Sequence, residues 1–254
     1  VRQTLIQICT PDPMRGRVFR KLFFTEASLA GKLEHPHIAQ IFDAGIGEDS
    51  GYIVMEYVPG GTMERFCTPE SLLPVEQVLE IAFKCARALS FAHARGVTHR
   101  DIKPGNILYA TEPTDVRIGD FGLAINMGSE TTQVTGVGSP AYMSPEQIRD
   151  EVVDHRTDLY SLGVVMYQML SGTLPYRGGN KFSIIFQITQ YEPPPPSSHR
   201  RGVTESLDRV VRRAMQKDPA QRYQSGDELA EDLIEALRAG TGEQPRGELG
   251  DADK

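Results

Sequence analysis

The segment Thr98-His99-Arg100-Asp101-Ile102-Lys103-Pro104-Gly105-Asn106 sets a carboxylate and an amide five residues apart. It follows a long stretch of helical periodicity and precedes a short β-rich run, so it reads as a loop between a helix and a strand. Asp120-Phe121-Gly122 comes fourteen residues after Asn106, at the end of a second short β-rich run. An Asp beside a glycine at a strand end sits on a pliable turn and can turn toward a metal. Two Asp and one Asn supply hard oxygen donors, which suit Mg2+ carrying phosphate. Any one of them alone would pass for a solvated surface residue; the combination is what points to chemistry.

The elements around these residues fall into two zones. Residues 4–9 alternate weakly, and Thr10-Pro11-Asp12-Pro13 breaks the run. Apolar residues then recur at helical spacing over 17–32, through Phe19, Leu22, Phe23, Ala27 and Ala30. Strands are expected over 38–42 and 52–57, with a turn between Gly45 and Gly51. After Pro59-Gly60-Gly61 the pattern becomes helical. Residues 74–95 form an amphipathic helix with Val78, Ile81, Ala82, Cys85, Leu89 and Ala92 on its apolar face. Short strands over 106–109 and 116–119 flank a turn near Pro113. Over 157–170 apolar residues lie on every side, the mark of a buried helix, and Gly172 is placed to cap it. Further helices are expected near 180–189, 204–216 and 225–238.

Bulk properties narrow the function classes. The chain has 254 residues, 24% charged and 39% hydrophobic, with a net charge of −7. An acidic chain of ordinary composition is not a general nucleic-acid or membrane-surface binder. Cys9, Cys67 and Cys85 match no zinc or disulfide pattern and read as free thiols in a reducing compartment. No run reaches the roughly 18 apolar residues of a membrane span. No signal peptide is visible, and Val1 opens directly on strand-like sequence, so residues are expected upstream. The four prolines Pro193 to Pro196 read as a stiff loop between helices.

The two chemical segments resemble the protein-kinase family, whose catalytic loop and magnesium-binding loop come in this order. The resemblance covers residues 1 to about 238. It implies an α+β, two-lobed fold, with a small β-rich N-lobe over 1–58, incomplete for want of its glycine-rich loop, and a larger helical C-lobe over 59–238. Residues 239–254 are rich in Gly, Glu and Asp and are expected to form a disordered tail. By resemblance, Asp101 is the catalytic base, Lys103 neutralises the γ-phosphate as in serine/threonine-specific members, and Asn106 and Asp120 bind the metal. Arg100 resembles the arginine that pairs with a phosphorylated activation loop. That loop corresponds to 124–144, with Thr131, Thr132 and Thr135 as candidate phosphorylation sites. Gly138 to Glu146 is similar to the substrate-docking segment, with Ser139 where Thr is usual and Ser144 where Ala is usual. Glu146 with Arg222 resembles a buried ion bridge, and Asp158 resembles the acid that holds the catalytic loop. Glu26 falls at the family's ion-pairing glutamate, Met55 at the gatekeeper, and Glu56 and Val58 at the adenine-binding hinge. His35-Pro36-His37 resembles a structural turn rather than a metal site.

The implied activity is transfer of the ATP γ-phosphate to protein Ser or Thr, with ATP and Mg2+ as cofactors. Protein substrates are the implied partners, without nucleic acid. Homodimerisation and autophosphorylation are common among similar bacterial kinases and are expected here on that ground. A cytoplasmic location is expected, with any membrane tether outside this chain. A third position departs from the pattern: Gln7 stands where the family has its phosphate-binding lysine. Either the alignment is shifted and Lys21 or a nearby arginine reaches in, or the enzyme works weakly without it, or the chain is a pseudokinase scaffold that binds nucleotide or partners. A small-molecule phosphotransferase of the aminoglycoside or choline kinase type also uses an Asp-to-Asn loop. Arg100, Arg222 and the Pro145-Glu146 segment weigh against it.

Overall fold

The computed structural model describes residues 4–9, 30–46, 51–121 and 140–241. In the first zone, β1 (Thr4–Cys9), β2 (Ile41–Ile46) and β3 (Gly51–Glu56) form an antiparallel sheet in the order β1-β3-β2. Alternate residues of β3 turn inward, so Ile53 and Met55 are buried while Tyr52 is exposed. The strand expected over 38–42 begins later, at Ile41. The residues before it pair elsewhere: the Ala39 N–H donates to the Ile118 carbonyl at 2.9 Å, and the Ile118 N–H to the His37 carbonyl at 2.9 Å. Most of the helix expected over 17–32 lies outside the described residues.

A second sheet, β4 (Gly61–Thr62), β5 (Ile107–Tyr109) and β6 (Val116–Ile118), lies at the boundary between the zones in the order β4-β5-β6. Its strands carry the candidate loops at their ends. Asn106 precedes β5 and Asp120 follows β6, and antiparallel pairing of Ile107 with Ile118 brings those ends together.

The helical zone contains α1 (Val75–His93), the short α2 (Pro145–Ile148), α3 (Arg156–Ser171), α4 (Lys181–Gln190), α5 (Glu205–Ala214) and α6 (Gly226–Thr241). Helix α3 is its axis. Leu159, Tyr160, Leu162, Val164, Val165 and Met166 are all buried, as all-round apolarity requires. Gly163 allows α5 to approach, since a Cβ there would stand 2.8 Å from the Ala214 Cβ. Gly172 ends the helix at φ +73°, a left-handed conformation that favours glycine.

Helix α6 packs on α1 and runs to Thr241, beyond the boundary expected at 238. The rest of the expected tail lies outside the described residues. Cys67 and Cys85 are buried, and burial pushes both thiols up to about 12, so they remain protonated and inert at neutral pH. Among the described residues no helix is long and apolar enough to cross a membrane.

Candidate active site

The loop between α1 and β5 carries its strain openly. Arg100 has φ +66°, and Asp120, after β6, has φ +58°. Neither is glycine, so surrounding contacts must hold both conformations. Asp158, in the first turn of α3, does this for the loop. Its Oδ2 accepts the His99 N–H at 2.8 Å and its Oδ1 accepts the Arg100 N–H at 2.7 Å. His93, in the last turn of α1, adds a contact from Nε2 to Asp158 Oδ2 at 2.8 Å. Asp158 is fully buried, and these three donors balance the desolvation of its carboxylate.

His99 links the two strained positions. Its Nε2 lies 2.8 Å from the Gly119 carbonyl, which can only accept, so Nε2 carries the hydrogen. Nδ1 is then an acceptor and receives the Asp101 N–H at 3.2 Å. One ring thus spans the peptide that presents Asp101 and the residue that precedes Asp120. The ring also meets Phe121 edge-on, with centroids 4.6 Å apart.

Three of the side chains named from the sequence, Asp101, Lys103 and Asn106, meet here. Lys103 Nζ donates to Asp101 Oδ2 at 2.7 Å, and Asn106 Nδ2 donates to the same oxygen at 3.0 Å and to the Asp101 carbonyl at 2.8 Å. The other carboxylate oxygen, Oδ1, accepts no hydrogen bond from a described residue. Burial raises the pKa of the Asp120 carboxyl; nearby Asp101 adds to this, while Lys103 opposes it. Asn106 turns its amide nitrogen to Asp101, and its oxygen accepts nothing from a described residue. The Asp120 carboxylate likewise accepts nothing from a described residue. An amide oxygen and a carboxylate left without donors from described residues in a largely buried corner fit a hard divalent cation.

Met55, at the end of β3, is buried. The Glu56 N–H donates to the Gln40 carbonyl at 2.8 Å. The Glu56 side chain bonds Arg117 Nε of β6 at 2.8 Å, while Arg117 also bonds Asp115 at 2.8 Å. Val58 makes no backbone hydrogen bond to a described residue, which leaves its N–H and C=O available. Gln7 stands opposite Ile53 in the β1–β3 register. Glu26, Thr131, Thr132, Thr135 and Ser139 lie outside the described residues.

Residues 13–234 match the family described as Protein kinase domain. The chain belongs to that family. The protein kinase domain is 38% identical over 260 residues to a serine/threonine-protein kinase PknB of Mycobacterium leprae, covering all of this chain and 42% of the relative. It is 36% identical over 252 residues to the PknB of Mycobacterium tuberculosis, covering 96% of this chain and 40% of the relative. Against the PknB of Mycolicibacterium smegmatis the figures are 37% over 241 residues, 92% and 38%. The chain therefore spans about two fifths of the length of these curated relatives. It is a kinase domain of the bacterial serine/threonine type, and its small antiparallel sheet and helical zone are the two lobes of that α+β fold.

Glu146 and Arg222 of this kinase domain form a buried bidentate pair, at 2.6 and 2.7 Å. Arg222 also donates to the carbonyls of Gln216 and Lys217, so little of the buried guanidinium lacks a partner. His37 is tied through Nδ1 to the Val116 carbonyl at 3.0 Å, consistent with a structural turn. Two contributors went unread in the sequence: the bridging role of His99, and Gln147, whose amide reaches the catalytic loop from α2. Ser144 and Gln147 have capping-box spacing, which signals the cap but not the far end of the amide.

Proposed function

We propose that this kinase domain transfers the γ-phosphoryl group of ATP to Ser or Thr hydroxyls of proteins. The observation that carries the reading is the arrangement at Asp101. One oxygen of its carboxylate is held by Lys103 and Asn106, and the other has no donor among the described residues. An acceptor hydroxyl fits at that second oxygen, aligned for attack. The hydroxyl oxygen forms a bond to the γ-phosphorus as the bond to the bridging oxygen of ADP breaks, and the proton passes to Asp101. Lys103 offsets charge on the transferred group. Asn106 and Asp120 would hold Mg2+, which supplies charge neutralisation to the phosphates.

In this reading the backbone of Glu56 and Val58 receives adenine at the hinge. By resemblance Glu26 and Gln7 correspond to the family's ion-pairing glutamate and phosphate-binding lysine positions. Arg100 answers phosphorylation at Thr131, Thr132 or Thr135, and the Ser139 hydroxyl takes the part of the family's threonine that bonds the positions of Asp101 and Lys103. Self-phosphorylation and pairing of two copies are part of the same proposal.

The test incubates the full chain with labelled ATP, Mg2+ and a protein acceptor, beside Asp101→Ala. Label on Ser or Thr that disappears in Asp101→Ala supports transfer. Label that persists in Asp101→Ala overturns it. The neutral Gln7 favours a second reading, a pseudokinase, for which nucleotide would bind without transfer. Restoring the charge decides how much Gln7 limits the reaction: Gln7→Lys is expected to raise kcat by about tenfold or more, since a preorganised donor at a phosphate is worth on the order of 10²–10³.

A further inference from the structure

The peptide joining Arg100 to Asp101 is gripped on both edges by side chains, one from the loop itself and one distant in sequence. Its N–H, on Asp101, donates to His99 Nδ1 at 3.2 Å. Its carbonyl, on Arg100, accepts from Gln147 Nε2 at 2.9 Å. The preceding N–H, on Arg100, is the one held by Asp158 at 2.7 Å. A residue at φ +66° therefore has its amide nitrogen fixed from α3 and its carbonyl fixed from α2.

The orientation of the Gln147 amide is dictated by its partners. Gln147 Oε1 accepts the Ser144 backbone N–H at 3.0 Å and is 2.9 Å from Thr157 Oγ1. A backbone N–H can only donate, so the oxygen must face Ser144. The carbonyl of Arg100 can only accept, so the NH2 must face Arg100. Reversing the amide would break both contacts. Thr157 Oγ1 and Ser144 Oγ, both buried, lie 2.7 Å apart and complete the network. The amide is thus locked at its oxygen end, and its nitrogen end is delivered to one carbonyl.

We infer that Gln147 is a positioning residue: its locked side-chain amide sets the plane of the Arg100–Asp101 peptide and so aims the Asp101 carboxylate. The inference rests on the phosphotransfer reading above, in which Asp101 meets the acceptor hydroxyl. Gln147 touches no reacting atom. It acts from the short helix at the end of the substrate-docking segment, so any shift of that segment reaches Asp101 through this amide.

The test compares three variants of the full chain by steady-state kinetics and thermal unfolding. Gln147→Glu keeps the acceptor toward Ser144 and Thr157 but replaces the NH2 donor with an oxygen that repels the Arg100 carbonyl. Gln147→Met keeps the length, removes both amide groups, and serves if the Glu variant does not fold. Thr157→Val removes one hydroxyl from the same network and leaves the bond to Arg100. Misplacing a reacting group by about 1 Å can cost on the order of 100-fold, so a kcat loss of about tenfold or more is expected for either Gln147 variant. The KM for ATP is expected to stay within about twofold, because the hinge is untouched. Thr157→Val is expected to lower the unfolding midpoint while retaining most of kcat. A Gln147 variant with normal kcat overturns the inference, as does a Thr157→Val loss of kcat as large as that of the Gln147 variants. Absence of transfer by the unsubstituted chain overturns the kinase reading, and the inference with it.

Discussion

Helix α3 and strand β1 lie in opposite lobes and are buried to opposite degrees. Almost every residue of α3 is enclosed, including the charged Asp158, whereas Leu5 and Ile6 of β1 are 44% and 61% exposed. The helical lobe buries Asp158, Glu146 and Arg222, each held by two or more hydrogen bonds. The sheet lobe keeps its polar groups near water and buries an apolar face led by Ile53 and Met55. The difference follows from the task of each part. Strained peptides at Arg100 and Asp120 need a floor that does not relax, and buried, fully bonded carboxylates supply one. The sheet is joined to that floor by thinner links, among them the partly exposed Glu56–Arg117 pair.

The largest expected effect tests the buried charge of the helical lobe. Arg222→Ala strands Glu146 without its partner and is expected to destabilise the domain by about 3–5 kcal/mol. Urea unfolding measures this, and a loss below about 1 kcal/mol would remove the basis for the contrast between the lobes. Apolar truncation comes next. Leu162→Ala in α3 and Ile53→Ala in β3 are each expected to cost about 2–5 kcal/mol, and Ile6→Ala at most about 0.5 kcal/mol. Equal losses at Ile6 and Ile53 would mean that both faces of the sheet are covered.

Gly172→Ala forces a left-handed residue to carry a Cβ 2.8 Å from the Pro69 nitrogen. A cost of about 1–3 kcal/mol is expected by thermal unfolding. Arg117→Ala should cost less than about 1 kcal/mol, and the loss should shrink as salt is raised, because the pair is partly exposed. The smallest effect is a pH slope. Burial lowers Lys217 from 10.5 to about 8. Between those values the unfolded chain holds a proton that the folded chain has released, so the Lys217 contribution to stability rises with pH across that window. Lys217→Met should flatten this slope, read from unfolding curves at pH 8 and above.

The helices were legible because their apolar spacing is local. The periodicity over 74–95 and 157–170 anticipated α1 and α3 to within a few residues, and Gly172 marked the end of α3. The start of β2 was misplaced because Ile38 is as β-prone as Ile41. What separates them is pairing with Ile118, a contact that no local window contains. The same division runs through the site. Asp101, Lys103 and Asn106 share one short loop, so their meeting was readable, and β5–β6 pairing accounts for bringing Asp120 near them. The amide of Gln147 and the ring of His99 have ordinary spacings, and only folding assigns their far ends.

By itself the sequence determined which groups are present for phosphate chemistry and in what order. A loop of nine residues cannot scatter its own carboxylate and amide, and an all-apolar helix must be buried. Tertiary structure alone decided how those groups are aimed. The left-handed backbone at Arg100 is costly in isolation and persists because α1, α2 and α3 deliver His93, Gln147 and Asp158 to one place. Those three donors and acceptors are brought together by packing of apolar surfaces that carry no record of the loop they serve.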